Sequence, residues 1–152
     1  MFFFLDTGIF IGAFYEDDQR HKDARHLLEK AFSQDPRGMY TSDYILDEFI
    51  SHLTGKARNR DRTINRKDHE AIKEGEDIIQ DSSINLLHVD DVIVGQAKTY
   101  YNEYWYLGLD LTDWTTVALM RKNRIKTLLS FDAGFDKLGE TKEFNGIERV
   151  LE

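Results

Sequence analysis

Five short apolar runs alternate along this chain with longer segments of helical period, and that alternation restricts the fold more than any other feature. The runs "FFFL" before Asp6, "GMYT" before Ser42, "INLLHV" before Asp90, "KTLLSF" before Asp132 and the terminal "IERVL" have strand length and are bounded by turn or cap residues. Between them, Ala24, Leu27, Leu28 and Ala31 repeat at helical spacing. Ala71, Ile72, Ile78 and Ile79 do so with a gap at Gly75, as do Ile93, Ala97, Tyr100, Tyr101 and Tyr104. Strands separated by helices need crossover connections, which are right-handed and lay helices over both faces of the sheet. The expected fold is α/β, a three-layer domain whose mostly parallel central sheet of about five strands is flanked by helices.

The 152 residues, 41% hydrophobic and 12% aromatic, suit one globular domain with an ample core, so residues 1–152 are read as a single domain. The apolar opening "MFFFLDTGIFIGAF" has no basic flank and carries Asp6, and no stretch approaches the roughly 20 apolar residues of a membrane span. A soluble, cytoplasmic protein without a membrane partner is expected. The absence of cysteine excludes disulfides and thiolate metal sites, so any metal would be held by oxygen or imidazole. The five histidines are scattered and form no ligand motif; His52, one turn beyond Glu48, is the one in reach of a carboxylate.

Asp6 poses the chemical question. An ionised carboxylate amid apolar surface costs several kcal/mol unless a cation or hydrogen-bond donors meet it. Ligands of open parallel sheets sit beyond the carboxyl ends of the strands, where Asp6 and Asp132 both fall. Asp113, in "LDLTDWTTVALM", falls at the expected start of a helix, so three distant carboxylates can converge on one sheet edge. Aspartate before a helix is also what an N-cap looks like, and Asp90 and Asp91 show the same pattern. In "DYILDEFISHL", Ile45, Leu46, Phe49, Ile50 and Leu53 form an apolar stripe with Asp47 and Glu48 on its two flanks, and the wheel does not choose between them.

A net charge of −8 argues against a polyanionic partner, yet "GKARNRDRTINRKD" from Gly55 to Asp68 holds six basic residues against two acids, a local +4 that leaves −12 for the rest. This stretch reads as a connection between two helices, either solvated or facing phosphates or an acidic partner. Trp114 and the cluster "YYNEYWY" from Tyr100 to Tyr106 supply either base-stacking faces or core and subunit contacts.

Together, "FFFLDTGIFIGAF", "YTSDYILDEFISHL" and "LDLTDWTTVALMRKNRIKTLLSFDAGF" resemble the successive motifs of PIN-domain nucleases, and the length is similar to that of VapC-type toxins of toxin–antitoxin pairs. Position by position, the resemblance implies catalytic and metal-binding roles for Asp6, Glu48, Asp113 and Asp132, so it selects Glu48 over Asp47. It implies an Mg²⁺- or Mn²⁺-dependent endoribonuclease, often a homodimer, with an RNA substrate and a small antitoxin partner. Two departures stand out: Gly8 occupies a place where the family commonly has Asn, and Asp110 stands where a small hydroxyl residue is usual.

A divalent ion relieves the repulsion among crowded carboxylates and, because Mg²⁺ and Mn²⁺ keep water ligands, leaves room for phosphate and a nucleophilic water. Thr7 and Thr112, each beside an acid, are candidates to orient a carboxylate or water, or else to cap helices. Lys56, Arg58, Arg60 and Arg62 would draw in RNA, with Arg121 and Lys122 near the end of the Asp113 helix. A dehalogenase-type phosphatase needs a second Asp where Gly8 stands. The alternative that remains is a binding module for RNA or protein with the same fold, in which the acids only cap helices.

Overall fold

A computed structural model describes residues 1–58, 61–80 and 83–151. Five strands alternate with helices: β1 (Phe3–Leu5), α1 (Thr7–Phe14), α2 (His21–Gln34), β2 (Met39–Ser42), α3 (Asp43–Ala57), α4 (Arg66–Gln80), β3 (Asn85–Leu87), α5 (Asp91–Glu103), α6 (Leu111–Lys122), β4 (Thr127–Leu129) and β5 (Glu148–Val150). Short 3₁₀ segments cover Trp105–Leu107 and Ala133–Glu140. All four pairings are parallel, in the order β3-β2-β1-β4-β5. The five expected strands are thus present, and the sheet is parallel throughout.

Phe3, Phe4 and Leu5 are buried in succession, without the alternation of a half-solvated strand, because helices cover both faces of β1. One helical group is built around α1, which packs on α2, α3 and α4; the other pairs α5 with α6. The periodic stripes point inward: Ala24, Leu27 and Ala31 of α2, Ile45, Leu46, Phe49 and Leu53 of α3, and Ile93, Ala97 and Tyr100 of α5. The gap at Gly75 in the α4 stripe is a packing feature, since a Cβ there would lie 2.4 Å from Phe49 Cζ. Tyr101, counted with the α5 stripe from its spacing, faces outward instead.

The basic segment after Ala57 connects α3 to α4, as its composition suggested. Among the described residues, no helix is long and apolar enough to cross a membrane.

Candidate active site

From β1 the chain winds outward to β2 and β3, then returns to β4 on the other side of β1 and continues to β5. The direction of winding therefore reverses between β1 and β4, and such a switch leaves a crevice beyond the carboxyl ends of those two strands. Leu5 stands opposite Leu129, and the Asp6 backbone N–H donates to the Leu129 carbonyl at 3.1 Å, so Asp6 and Ser130 leave the sheet side by side. The Ser130 hydroxyl donates to Asp6 Oδ2 at 2.6 Å and accepts from the Asp132 backbone N–H at 3.0 Å. One buried serine thus couples two carboxylate positions separated by more than a hundred residues.

Glu48 reaches the same place from β2. The Thr41 hydroxyl donates to the Leu5 carbonyl at 2.9 Å, tying the ends of β1 and β2 together, and Ser42 caps α3 by accepting from the Ile45 N–H. About one and a half turns into α3, Glu48 Oε2 accepts the Thr7 hydroxyl. That bond separates the flanks that the helical wheel left open: both acids are exposed, but Glu48 faces the residue after Asp6. Thr7, already weighed as an orienting residue, holds a carboxylate.

Asp113 arrives on α6 through a reciprocal cap. Its backbone N–H donates to Asp110 Oδ1 at 2.8 Å, and its own Oδ2 accepts from the Asp110 N–H at 3.0 Å. Asp110, the departure from the family pattern, is therefore the N-cap of α6. The Thr112 hydroxyl bonds to none of the described residues; its carbonyl accepts the Thr115 hydroxyl at 2.6 Å.

Capping also separates the acids from one another. Asp90 accepts from the Ile93 N–H and Asp132 from the Gly134 N–H, as helix caps do. Asp6 occupies the N-cap position of α1 yet makes no side-chain cap bond, although it is only 8% exposed. Its carboxyl is pushed up to about 6, chiefly by burial and further by the charges of Glu48 and Asp132, against the lowering effect of the Ser130 and Thr7 hydrogen bonds. Asp113 is pushed up to about 8, again first by burial, with Asp110 and Asp6 adding repulsion. The charges of Glu48 and Asp132 thus act on Asp6, and that of Asp6 on Asp113.

The centre is not a closed ligand cage. Among the described residues, no three His, Cys, Asp or Glu side chains converge closely enough to hold one ion directly. An all-oxygen set with raised carboxyls nevertheless fits a hydrated hard divalent cation, which would take one or two protein carboxylates and reach the others through water.

Three residues at the site went unnoticed in the sequence. Ser130 is the coupling hydroxyl described above. Arg149 on β5 clamps Asp136 through Nε (2.8 Å) and Nη2 (2.7 Å) and donates from Nη1 to the Ser130 carbonyl at 3.2 Å. Arg20 lays its guanidinium 4.6 Å from the centroid of the Phe131 ring, next to Ser130 and Asp132 in the chain.

Of the basic residues, Lys56 lies about 12 Å along α3 from Glu48 at the helical rise and approaches Asp18 at 3.9 Å. Arg58 and Arg62 are exposed, and Arg60 lies outside the described residues. Arg121 is held by Tyr100 and Glu143, at 2.7 and 2.6 Å. His52 is exposed.

The fold is thus a parallel α/β sheet with several acids near its switch point, an arrangement compatible with a nuclease. Residues 3–141 match the PIN domain family, and the chain belongs to that family. It is similar to a VapC ribonuclease of Archaeoglobus fulgidus, 24% identical over 132 residues that span 86% of this chain and 77% of the relative. The crystal structure of Mycobacterium tuberculosis VapC20, described as a toxin that cleaves the sarcin–ricin loop, superposes with a TM-score of 0.75 at 23% identity, covering 90% of this chain and 95% of that one.

Proposed function

We propose that this chain is a Mg²⁺- or Mn²⁺-dependent endoribonuclease and the toxin of a toxin–antitoxin pair, acting in the cytoplasm as a homodimer held in check by a small antitoxin protein. The observation that carries the reading is Asp6: a buried carboxylate at the switch point, not used as a cap, among three other acids. The names of the two relatives point to RNA as the substrate.

In this reading Asp6, Asp113 and Asp132 hold the ion directly or through water. When bound, the ion lowers the pKa of a water and offsets charge on the phosphoryl oxygens. Thr7 engages Glu48 at Oε2, so Oε1 is left to accept the proton of the attacking water or to bind a water ligand. Ser130 fixes the orientation of the Asp6 carboxylate through Oδ2. Arg149 braces the Ser130 backbone against movement of β4. Arg20, Lys56, Arg58, Arg60 and Arg62 draw the RNA backbone toward an otherwise acidic molecule.

The test is incubation of RNA pools with the wild type in Mg²⁺, in Mn²⁺ and in EDTA, beside Asp6→Asn. Cleavage by the wild type with metal alone, and none by the variant, supports the reading. Equal cleavage by both proteins overturns the site, and no cleavage by either in any metal favours the binding module.

A further inference from the structure

The aromatic run that closes α5 divides into two populations. Tyr100 and Tyr104 pack with Trp114 and Phe144, with ring centroids 5.0 to 6.0 Å apart. Tyr101, Trp105 and Tyr106 stand outside, 46%, 68% and 58% exposed. Exposing two large rings and an indole costs solubility, which a core role does not explain.

Trp105 and Tyr101 line an open concavity of about 680 Å³ together with Lys98, Asn102, Asp110 and Leu111. Asp110 is the residue whose carboxylate caps α6 by binding the Asp113 N–H, so the concavity shares a wall with the acidic centre. The platform is held in place. Tyr106 meets Trp105 edge-to-face at 6.1 Å and leans on Tyr104 at 6.3 Å, which joins it to the packed cluster. The Gly108 N–H binds the Trp105 carbonyl at 3.1 Å, and the turn into the Asp110 loop uses φ of +77° at Gly108, which favours glycine.

We propose that this concavity takes an unpaired nucleobase of the RNA substrate, next to the phosphate being cleaved, with Trp105 as its stacking face and Tyr101 as the flanking wall. The proposal rests on the endoribonuclease reading and adds a base subsite to it. Aromatic side chains bind splayed-out bases of single-stranded RNA through the π-face that every base has. The polar lining fits a base edge rather than a phosphate. Asp110 accepts from a ring N–H or exocyclic amine and repels phosphate, Asn102 offers both donor and acceptor, and Lys98, which makes no ion pair with any described residue, suits the adjoining phosphate. A second copy of the chain is a poorer occupant, because it would strip water from the ammonium and carboxylate at the centre of the contact, where interfaces are depleted of charge. A platform already fixed by its neighbours also loses little entropy on binding.

The chain carries its own probe. Of its two tryptophans, Trp114 is fully buried and Trp105 exposed, so accessible indole fluorescence belongs to Trp105. Stopped-flow mixing of the wild type with oligouridylate in Mg²⁺ buffer should quench that emission before turnover. Steady-state cleavage should then show KM raised about 5- to 150-fold in Trp105→Ala, the range for losing one stacked base, and near wild type in Trp105→Phe. Circular dichroism checks the fold, and Tyr101→Ala serves as the second variant, with a smaller rise in KM. Cleavage without quenching and with unchanged KM in Trp105→Ala overturns the subsite while the endoribonuclease reading stands. Quenching without cleavage keeps the subsite and removes that reading; neither quenching nor cleavage removes both. An indole already shielded without RNA, in a dimer that Trp105→Ala dissociates, assigns the face to self-association and overturns the proposal.

Discussion

Replacing Asp6 with Asn should make the metal-free protein more stable. Burial and neighbouring acids lift the Asp6 carboxyl from 3.8 to about 6 in the folded chain, so near neutral pH the ionised group opposes folding. A rise of roughly two pH units corresponds to about 3 kcal/mol at 1.36 kcal/mol per unit. The asparagine carbonyl keeps the Ser130 hydrogen bond but adds an amide that needs a partner, which offsets about 1 kcal/mol or more. The net gain is about 1–2 kcal/mol, or about 2–8 °C in Tm for a chain of this size. The sign follows from linkage. Because the folded value lies above the unfolded one, the wild type is unpenalised below 3.8, loses stability as pH rises toward 6, and stays penalised above it. Calorimetry in EDTA across this range should show the two stability curves crossing: the variant less stable by about 1 kcal/mol in acid, where the wild type is unpenalised, and more stable toward neutrality. A variant no more stable than the wild type near neutral pH, or one whose advantage persists in acid, would refute the reasoning.

Other perturbations read different parts of the molecule. Ser130→Ala removes the hydroxyl that donates to Asp6 and accepts from the Asp132 N–H; it should raise the Asp6 carboxyl further and shift the pH–rate profile for RNA cleavage toward alkali. Gly75→Ala should destabilise by about 1–3 kcal/mol from overpacking against Phe49, less up to about 1 kcal/mol of helix propensity, as measured by urea unfolding. Arg58→Ala and Arg62→Ala should each lower the salt dependence of single-stranded RNA binding by about 0.7 in log–log slope if each neutralises one phosphate. Fluorescence anisotropy over a salt series checks this, and unchanged slopes would remove both residues from the RNA path.

The sheet was legible in the sequence because four of the five strands lie in apolar runs ended by polar residues, a local signal, whereas β5, Glu148–Val150, carries two charges between Ile147 and Leu151. What joins Asp6 to Asp132 was not local: the register of Leu5 opposite Leu129 depends on pairing between distant segments, so the convergence was inferred only from the rule for strand ends. Ser130 was missed because a serine within "TLLSF" reads as part of a strand. Its position two residues before Asp132 was the available hint. The choice of Glu48 over Asp47 depends on which way α3 faces α1, and the Thr7 bond supplies that across the fold. The aromatic run stayed undivided for a related reason: Tyr101, placed in the α5 stripe by spacing, faces outward, and α5 ends at Glu103, so beyond the 3₁₀ turn helical spacing assigns no side to Trp105 and Tyr106.

Titration of Mn²⁺ into the wild type and Asp6→Asn by calorimetry tests most directly whether a divalent ion compensates the acids at the β1–β4 switch. The account predicts saturable binding by the wild type that is lost in the variant. Wild-type protein that takes up no ion, or a variant that binds as tightly, would contradict it.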